Sequence, residues 1–412
     1  NSLSQQEAVK LFLLFPLDKK VELITELSLS DQEWLIKSLP LENIREIFDE
    51  VDPDDLVDIV QEVRPEVRES VWRSLSDEAK QETQFLLRFD ADDAAGLMTT
   101  RHVAIRSNIT VGQALAFVRI NARDVETIYY IYVVDALKRL QGVVSLRDLL
   151  FVDDSERIEN CMVKQVLSVS GDTDQEEVAK LLTTYDLIAL PVVDSYRRLL
   201  GIVTFDDVFD VIQDEQTEDV YKMSSMEGGV EPYTDSSVWR LVKKRVPWLI
   251  ILLIAGTLTT NVISAFEPII AAAGFLVWFV PVITQTGGNS GTQSSTLMIR
   301  GIATGEIHFR DFLKIIGKES LVGLLMGLIL AVVIILRGIL LPPGVLPEQA
   351  VAIGAALLFV VVFSSVIGAF APLIIHRLGF DPTVMAGPLM ATVIDVAGLT
   401  IYFEAARFIL GL

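Results

Sequence analysis

The chain has 412 residues, 51% of them hydrophobic, with 55 acidic and 34 basic side chains and a formal net charge of −21. So negative a surface is a poor partner for nucleic acid, whose phosphates bind cationic proteins. Cys161 is the single cysteine, which excludes an intrachain disulfide and fits a reducing cytosol.

The charge is unevenly spread. Residues 241–412 hold 8 acids and 10 bases, leaving 47 acids against 24 bases in residues 1–240. The first half therefore reads as soluble and the second as embedded in a lipid bilayer. The chain opens Asn-Ser-Leu without Met or a secretory signal, so its true start is expected to lie upstream.

Residues 1 to about 90 read as short amphipathic helices. Ala8, Leu11, Phe12 and Phe15 follow the i, i+3, i+4, i+7 rule, as do Ile44, Ile47, Phe48 and Val51, and Leu56, Ile59, Val60 and Val63. Ser30 with Glu33 reads as a capping box, Asp52 before Pro53 as an N-cap with proline at N1, and Arg64-Pro65 as a break. Stacked short helices of this kind imply an all-α superhelical domain.

Residues 97–212 contain an internal repeat. IYVVDALKRLQGVVSLRDLL recurs as ALPVVDSYRRLLGIVTFDDVF, with Val133 and Val192, and Gly142 and Gly201, each 59 residues apart. Each copy has a helix, Thr110–Ile120 or Asp174–Tyr185, then a strand ending at Asp, a turn, a second strand and another helix. This resembles a tandem pair of CBS domains, an α+β fold. The resemblance implies that Ser145 and Asp148, and Thr204 and Asp207, face an adenine nucleotide such as ATP. The same residues equally suit helix capping at a strand–helix junction.

A charged connector follows at 213–245, ending Arg240, Lys243, Lys244 and Arg245, and Ser236–Arg245 reads as a helix entering the membrane. Beyond it, apolar stretches cover Val246–Phe266, Pro268–Thr284, Leu321–Leu341, Ala350–Ile375 and Val384–Leu410, five expected spans. Lysine and arginine cluster before the first span and between the second and third. The positive-inside rule then expects a multi-pass protein of the cell membrane, N-terminus cytoplasmic and C-terminus outside.

Enzyme motifs are absent: there is no G-x-x-x-x-G-K-[ST], H-E-x-x-H or C-x-x-C, and GGNSG lacks the lysine and preceding strand of a phosphate loop. The apolar run MAGPLMATVIDVAGLTIYF of the last span instead carries one acid, Asp395. A charge at bilayer depth costs roughly 2.5–3.5 kcal/mol and marks a function. Gly387-Pro388 is expected to kink this helix and free the carbonyl of Ala391, making an ion site with the carboxylate. Mg2+ keeps several waters and needs only one or two carboxylates. The segment TQTGGNSGTQSS is read either as irregular polar backbone lining a pore through Asn289, Thr292 and Gln293, or as small residues packing against other helices. A twofold dimer would bring two copies of Asp395 to one axis.

The order of parts resembles the MgtE family of magnesium channels over the whole chain: acidic helical domain, CBS pair, connector, and five spans with GGNSGTQ and AGPLMATVID. The resemblance implies a homodimer with a Mg2+ pore on its axis, closed by intracellular Mg2+ bound to the acidic cytosolic domains. It places Asp395 and Ala391 in the pore and Asp194 and Asp206 among the sensor acids, with Glu227, Glu231 and Asp235 on the connecting helix. Tyr196 departs from the pattern, where an acid is expected. The domains expected are 1–95, the acidic helical domain; 96–212, the CBS pair (96–155 and 156–212); 213–245, the connecting or plug helix; and 246–412, the transmembrane pore domain. Two alternatives stand beside the channel: a carrier coupling Mg2+ or Co2+ to Na+ or H+, and a nucleotide-sensing CBS module anchored in the membrane.

Overall fold

The computed structural model describes residues 5–122, 125–226, 233, 236–385 and 387–412. The chain divides into two units, residues 1–215 and 216–412.

The first unit opens with seven short helices: α1 (Gln5–Leu14), α2 (Leu17–Thr25), α3 (Leu29–Ser38), α4 (Leu41–Phe48), α5 (Pro53–Glu62), α6 (Pro65–Ser74) and α7 (Asp77–Leu86). Proline sets the punctuation. Pro16 and Pro40 stand just before α2 and α4, and Pro53 and Pro65 open α5 and α6, where a missing N–H costs nothing. The expected apolar faces of α4 and α5 close one core around Ile24, Ile36, Ile47, Phe48 and Val60. Of the apolar face expected for the first helix, Phe12 is buried, whereas Leu11, and Phe15 just beyond the end of α1, are exposed.

The capping box expected at Ser30 does not form. Ser28 caps α3 by accepting from the Asp31 amide. Glu33 is buried and reaches a residue 31 positions away, accepting from the Arg64 backbone amide at 2.7 Å and its Nε at 2.5 Å. Each hydrogen bond to a charged group contributes about 1.5–3 kcal/mol, so a long-range tie outcompetes a local cap.

Two similar sheets follow. In the first, β1 (His102–Arg106) runs parallel to β2 (Thr127–Val134), which pairs antiparallel with β3 (Leu140–Ser145). Between β1 and β2 lies α8 (Val111–Asn121), opened by a capping box of Thr110 and Gln113. Short helices α9 (Leu146–Leu149) and α10 (Ile158–Cys161) come next. The second sheet repeats the order with β4 (Val169–Ser170), α11 (Gln175–Thr184, capped by Asp174), β5 (Ala189–Val193), β6 (Leu199–Thr204) and α12 (Phe205–Met223).

The copies interlock reciprocally. A Cβ on Gly142 would strike Met162, which begins the second copy, and one on Gly201 would strike Met98, which begins the first. The hairpin turns place Lys138 and Arg197 in the left-handed region, φ 61° and 59°. The Lys138 carbonyl accepts from Leu199 N–H at 3.0 Å, and that of Arg197 from Leu140 N–H at 2.9 Å.

The second unit holds α13 (Val238–Ala265), α14 (Glu267–Ala272), a 3-10 turn (Gly274–Phe279), α15 (Val280–Ala303), α16 (Phe312–Leu340), α17 (Pro347–Arg377) and α18 (Pro388–Leu410). Four helical segments among the described residues are long and apolar enough to cross a bilayer: Val238–Ala265, Phe309–Leu340, Pro347–Arg377 and Pro388–Leu410. The span expected over Pro268–Thr284 is corrected. That stretch breaks into α14 and the 3-10 turn, and the fifth long helix, α15, begins at Val280 with Pro281 in its first turn. The Gly-rich segment is therefore helix interior rather than irregular backbone.

Its small residues explain why. A Cβ on Gly287 would lie 2.9 Å from Val360 and 3.1 Å from Ile394, and one on Gly368 would run into the Gly291 backbone. Without side chains at these points α15 packs closely on α17 and α18. Small residues substitute for hydrophobic attraction in lipid, where apolar bulk brings nothing together.

Candidate functional site

Helix α5 carries Asp54, Asp55, Asp58 and Glu62, and α12 carries Asp206, Asp207, Asp210 and Asp214. The two sets meet at a cleft of about 340 Å3 lined by Asp55, Asp58, Glu62, Asp210 and Asp214, with Gln32 from α3 at its wall. Burial, then the carboxylates of Asp52 and Glu26, pushes Asp55 up to about 6. Burial, then Asp55 and Glu62, pushes Asp58 up to about 7. Beside them Glu126 is raised to about 8 by burial and by Asp52 and Asp207. Asp207 rises to about 6 through burial, against the opposing Thr204 hydrogen bond. Asp54 is buried and held well above the usual carboxylate range, by burial and then by Asp207. Its Oδ1 and the Oε1 of Gln32 have no hydrogen-bond partner among the described residues.

These carboxylates cannot all ionise so close together without an added cation. Among the described residues no three acid, histidine or cysteine side chains converge closely enough to hold a bare ion. The cleft suits a cation that keeps its water shell, and Mg2+ gives up water reluctantly.

Sequence reasoning passed over Asp54, Asp55, Asp58 and Glu126. The signal was present for α5: Asp55, Asp58 and Glu62 recur at i, i+3 and i+7, one helix face. Which helix would face it was not readable.

The residues singled out from the sequence have varied settings. Ser145 caps α9, accepting from Asp148 N–H at 3.0 Å while donating to that carboxylate at 2.6 Å. Thr204 donates to the Asp207 carboxylate through its hydroxyl and, at 3.4 Å, through its backbone N–H. Asp206 is exposed on the first turn of α12. Asp194 bonds within its own hairpin. One oxygen accepts from the Tyr196 and Arg198 amides and the other from Arg198 Nε at 2.7 Å. Burial would raise its pKa, but these donors hold it below the usual range. Glu227, Glu231 and Asp235 lie outside the described residues.

In the second unit, Asp395 is half-buried in α18, with no hydrogen bond or ion pair among the described residues. Its helix crosses α15 where Gly288 faces Ala391, a Cβ there lying 3.5 Å from the alanine's. The expected kink at Gly387-Pro388 is corrected: Gly387, φ 57°, precedes the helix and Pro388 occupies its first turn. Proline there removes no internal bond, so the Ala391 carbonyl belongs to a continuous helix. Asn289 is exposed and Thr292 half-exposed on α15, and no hydrogen bond joins either to Asp395. The buried face of α15 carries serines instead. Ser290 pairs with Ser365 at 3.0 Å, and Ser294 donates to the buried Glu319 at 2.7 Å.

An acidic helical domain, a CBS pair and apolar helices, the last with an unpartnered aspartate, define a divalent cation transporter of the membrane. Comparison with known proteins agrees. Residues 280–405 match the family described as a divalent cation transporter, residues 1–92 the MgtE intracellular N domain, and 94–154 and 158–214 the CBS domain. The magnesium transporter MgtE of Thermus thermophilus is 40% identical over 406 residues, 96% of this chain and 88% of that protein. That of Bacillus subtilis is 32% identical, covering 87% and 79%. A crystal structure of the cytosolic domain of the Mg2+ channel MgtE in complex with ATP is 44% identical, covering 51% of this chain and 86% of that one, TM-score 0.49. The chain belongs to the MgtE family of magnesium transporters. It is a transporter and not an enzyme.

Proposed function

We propose that the protein is a Mg2+-selective channel for magnesium uptake, closed by intracellular Mg2+ bound to its acidic soluble unit. The carrying observation is the crowd of acids where α5 meets α12: burial first, then mutual repulsion, raises their proton affinity, and a bound cation would relieve the repulsion. Low cytosolic Mg2+ leaves these groups to repel; high Mg2+ draws them together. Inward flow needs no pump, since two charges falling through 100 mV release about 4.6 kcal/mol. Such a pore needs a brake, and the connecting segment 213–245 is placed in the chain to apply it.

In this reading Asp395 coordinates the permeating hydrated ion and works in a homodimer. Its lack of an internal partner supports this, as does α13, which buries no residue within the chain and so must face lipid or a second copy. The N-terminus is cytoplasmic and the C-terminus outside. The Ser145–Asp148 turn, beside exposed Arg147, is the better of the two turns for an adenine nucleotide. Asp54 and Glu126 crowd Thr204–Asp207 and disfavour a polyphosphate there.

Patch recordings with cytosolic Mg2+ stepped from absent to millimolar test the whole reading. Unitary currents that fall as Mg2+ rises are expected, and Asp395→Ala should abolish Mg2+ uptake into liposomes while leaving a folded dimer. Wild-type uptake by that variant would sink the pore assignment. Currents indifferent to cytosolic Mg2+ would sink the sensor.

A further inference from the structure

Helix α13 is longer than its apolar part. Its 28 residues make about 42 Å of helix at about 1.5 Å per residue. The apolar run begins at Val246, and residues 246–265 span about 30 Å, the thickness of a hydrocarbon core. Residues 238–245 therefore project beyond the hydrocarbon by about 12 Å, through the layer of lipid headgroups.

That projecting piece carries Arg240, Lys243, Lys244 and Arg245, and α13 has no acid anywhere along its length to offset them. Arg240, Lys243 and Lys244 stand at i, i+3 and i+4 and so share one face. Val238, Val242 and Val246 take the other side and are exposed. Lys243, Lys244 and Arg245 form no ion pair among the described residues. These three fall within about 5 Å of the end of the apolar run, the depth of lipid phosphates, and Arg240 lies one turn further out. Trp248 sits just inside that boundary, where tryptophan is enriched in membrane proteins.

Pro247 marks the same boundary. It has no N–H to give the carbonyl of Lys243, four residues back. At hydrocarbon depth that carbonyl would be costly to leave unpaired, whereas among headgroups water serves it. None of α13 is buried within the chain, so the cationic face is open to its surroundings. A second copy of the same face would set like charges against each other, whereas a negatively charged lipid surface complements it.

We propose that Arg240, Lys243, Lys244 and Arg245 bind the headgroups of anionic phospholipids and so anchor the membrane end of the connecting segment. A zwitterionic headgroup offers the same phosphate but adds a cation that these side chains repel, so the site prefers lipid of net negative charge. The leaflet follows from the orientation proposed above; the site itself depends neither on that orientation nor on gating by Mg2+. Because α13 packs along α18, lipid charge acts beside the helix that carries Asp395.

The test is native mass spectrometry of the full-length protein released from nanodiscs of equal parts phosphatidylglycerol and phosphatidylcholine. Both faces of the disc carry the same lipids, so the result does not depend on orientation. Preferential retention of phosphatidylglycerol is expected. Lys243→Gln with Lys244→Gln should weaken retention of the first bound phosphatidylglycerol about tenfold or more, at about fivefold for each cation near an anionic surface. Lys243→Arg with Lys244→Arg should preserve it, which separates charge from packing, and millimolar inorganic phosphate should not displace it. Equal retention of the two lipids, retention indifferent to the glutamine substitutions in a protein of unchanged melting temperature, or displacement by inorganic phosphate overturns the proposal.

Discussion

The two CBS copies carry the same small turn, Ser145 to Asp148 and Thr204 to Asp207, 59 residues apart. Each hydroxyl donates to its aspartate three residues on. The surroundings differ. Asp148 is exposed beside Arg147, whereas Asp207 is largely buried among Asp54, Asp55 and Glu126. A duplicated motif thus becomes two sites of opposite electrical preference, because an acidic helix from outside the repeat packs on one copy only. Sequence identity of a turn says what it can bond; charge within about 6 Å says which ion it will tolerate.

The comparison is broken most easily at the nucleotide. Asp148→Ala should weaken ATP binding about tenfold or more, while Asp207→Asn leaves it nearly unchanged, both read by calorimetry. Equal losses would mean that the two turns are equivalent.

A smaller effect is expected on gating. Asp55→Asn with Asp58→Asn removes two carboxylates of the cleft, so the Mg2+ giving half-closure should rise severalfold; Asp148→Ala should not move it. An unchanged or lower Mg2+ requirement would mean that the α5 acids do not hold the regulating ion.

The pH response sharpens the same point. Asp55, Asp58, Asp207 and Glu126 have folded-state pKa values of about 6 to 8, above the ordinary value near 4. Their folded state therefore binds more protons than the unfolded one, and stability falls as pH rises through that window. Without Mg2+ the melting temperature of the soluble unit should drop between about pH 5 and pH 8, by about 2–4 °C for each kcal/mol lost. Millimolar Mg2+ should flatten the drop, and a flat profile without Mg2+ would contradict the crowding.

The smallest effect is on capping. Ser145→Ala should cost about 1 kcal/mol by denaturant melting. Thr204→Ala should cost no more, because removing its hydroxyl also frees a carboxylate to protonate.

Much of this was legible in the amino-acid order. The helices read over 110–120 and 174–185 are α8 and α11, each opened by a local cap, and the 59-residue repeat announced two like sheets. The helix through GGNSGTQ was not legible, since glycine disfavours a helix by about 1 kcal/mol per residue until neighbouring helices are close enough to reward its small size. Ser30 misled because Glu33 is claimed by Arg64, far along the chain. At the sites, Asp395 stood out as a lone acid in an apolar run. The acidic cleft did not, because it is assembled from segments that only folding brings together.

A Cβ on Gly387 would collide with the carbonyl of Met223, the final residue of α12, and φ at Gly387 is 57°. A second tie lies close by, Lys222 to Asp381 at 2.9 Å. Main chain rests on main chain at this joint, with no compliant side chain between to act as a cushion. Any push on the end of α12 is therefore delivered to the root of α18 with almost no slack, two turns below Asp395. The joint behaves like a hard bearing, and replacing its glycine by alanine would shift the resting position of the helix that carries Asp395.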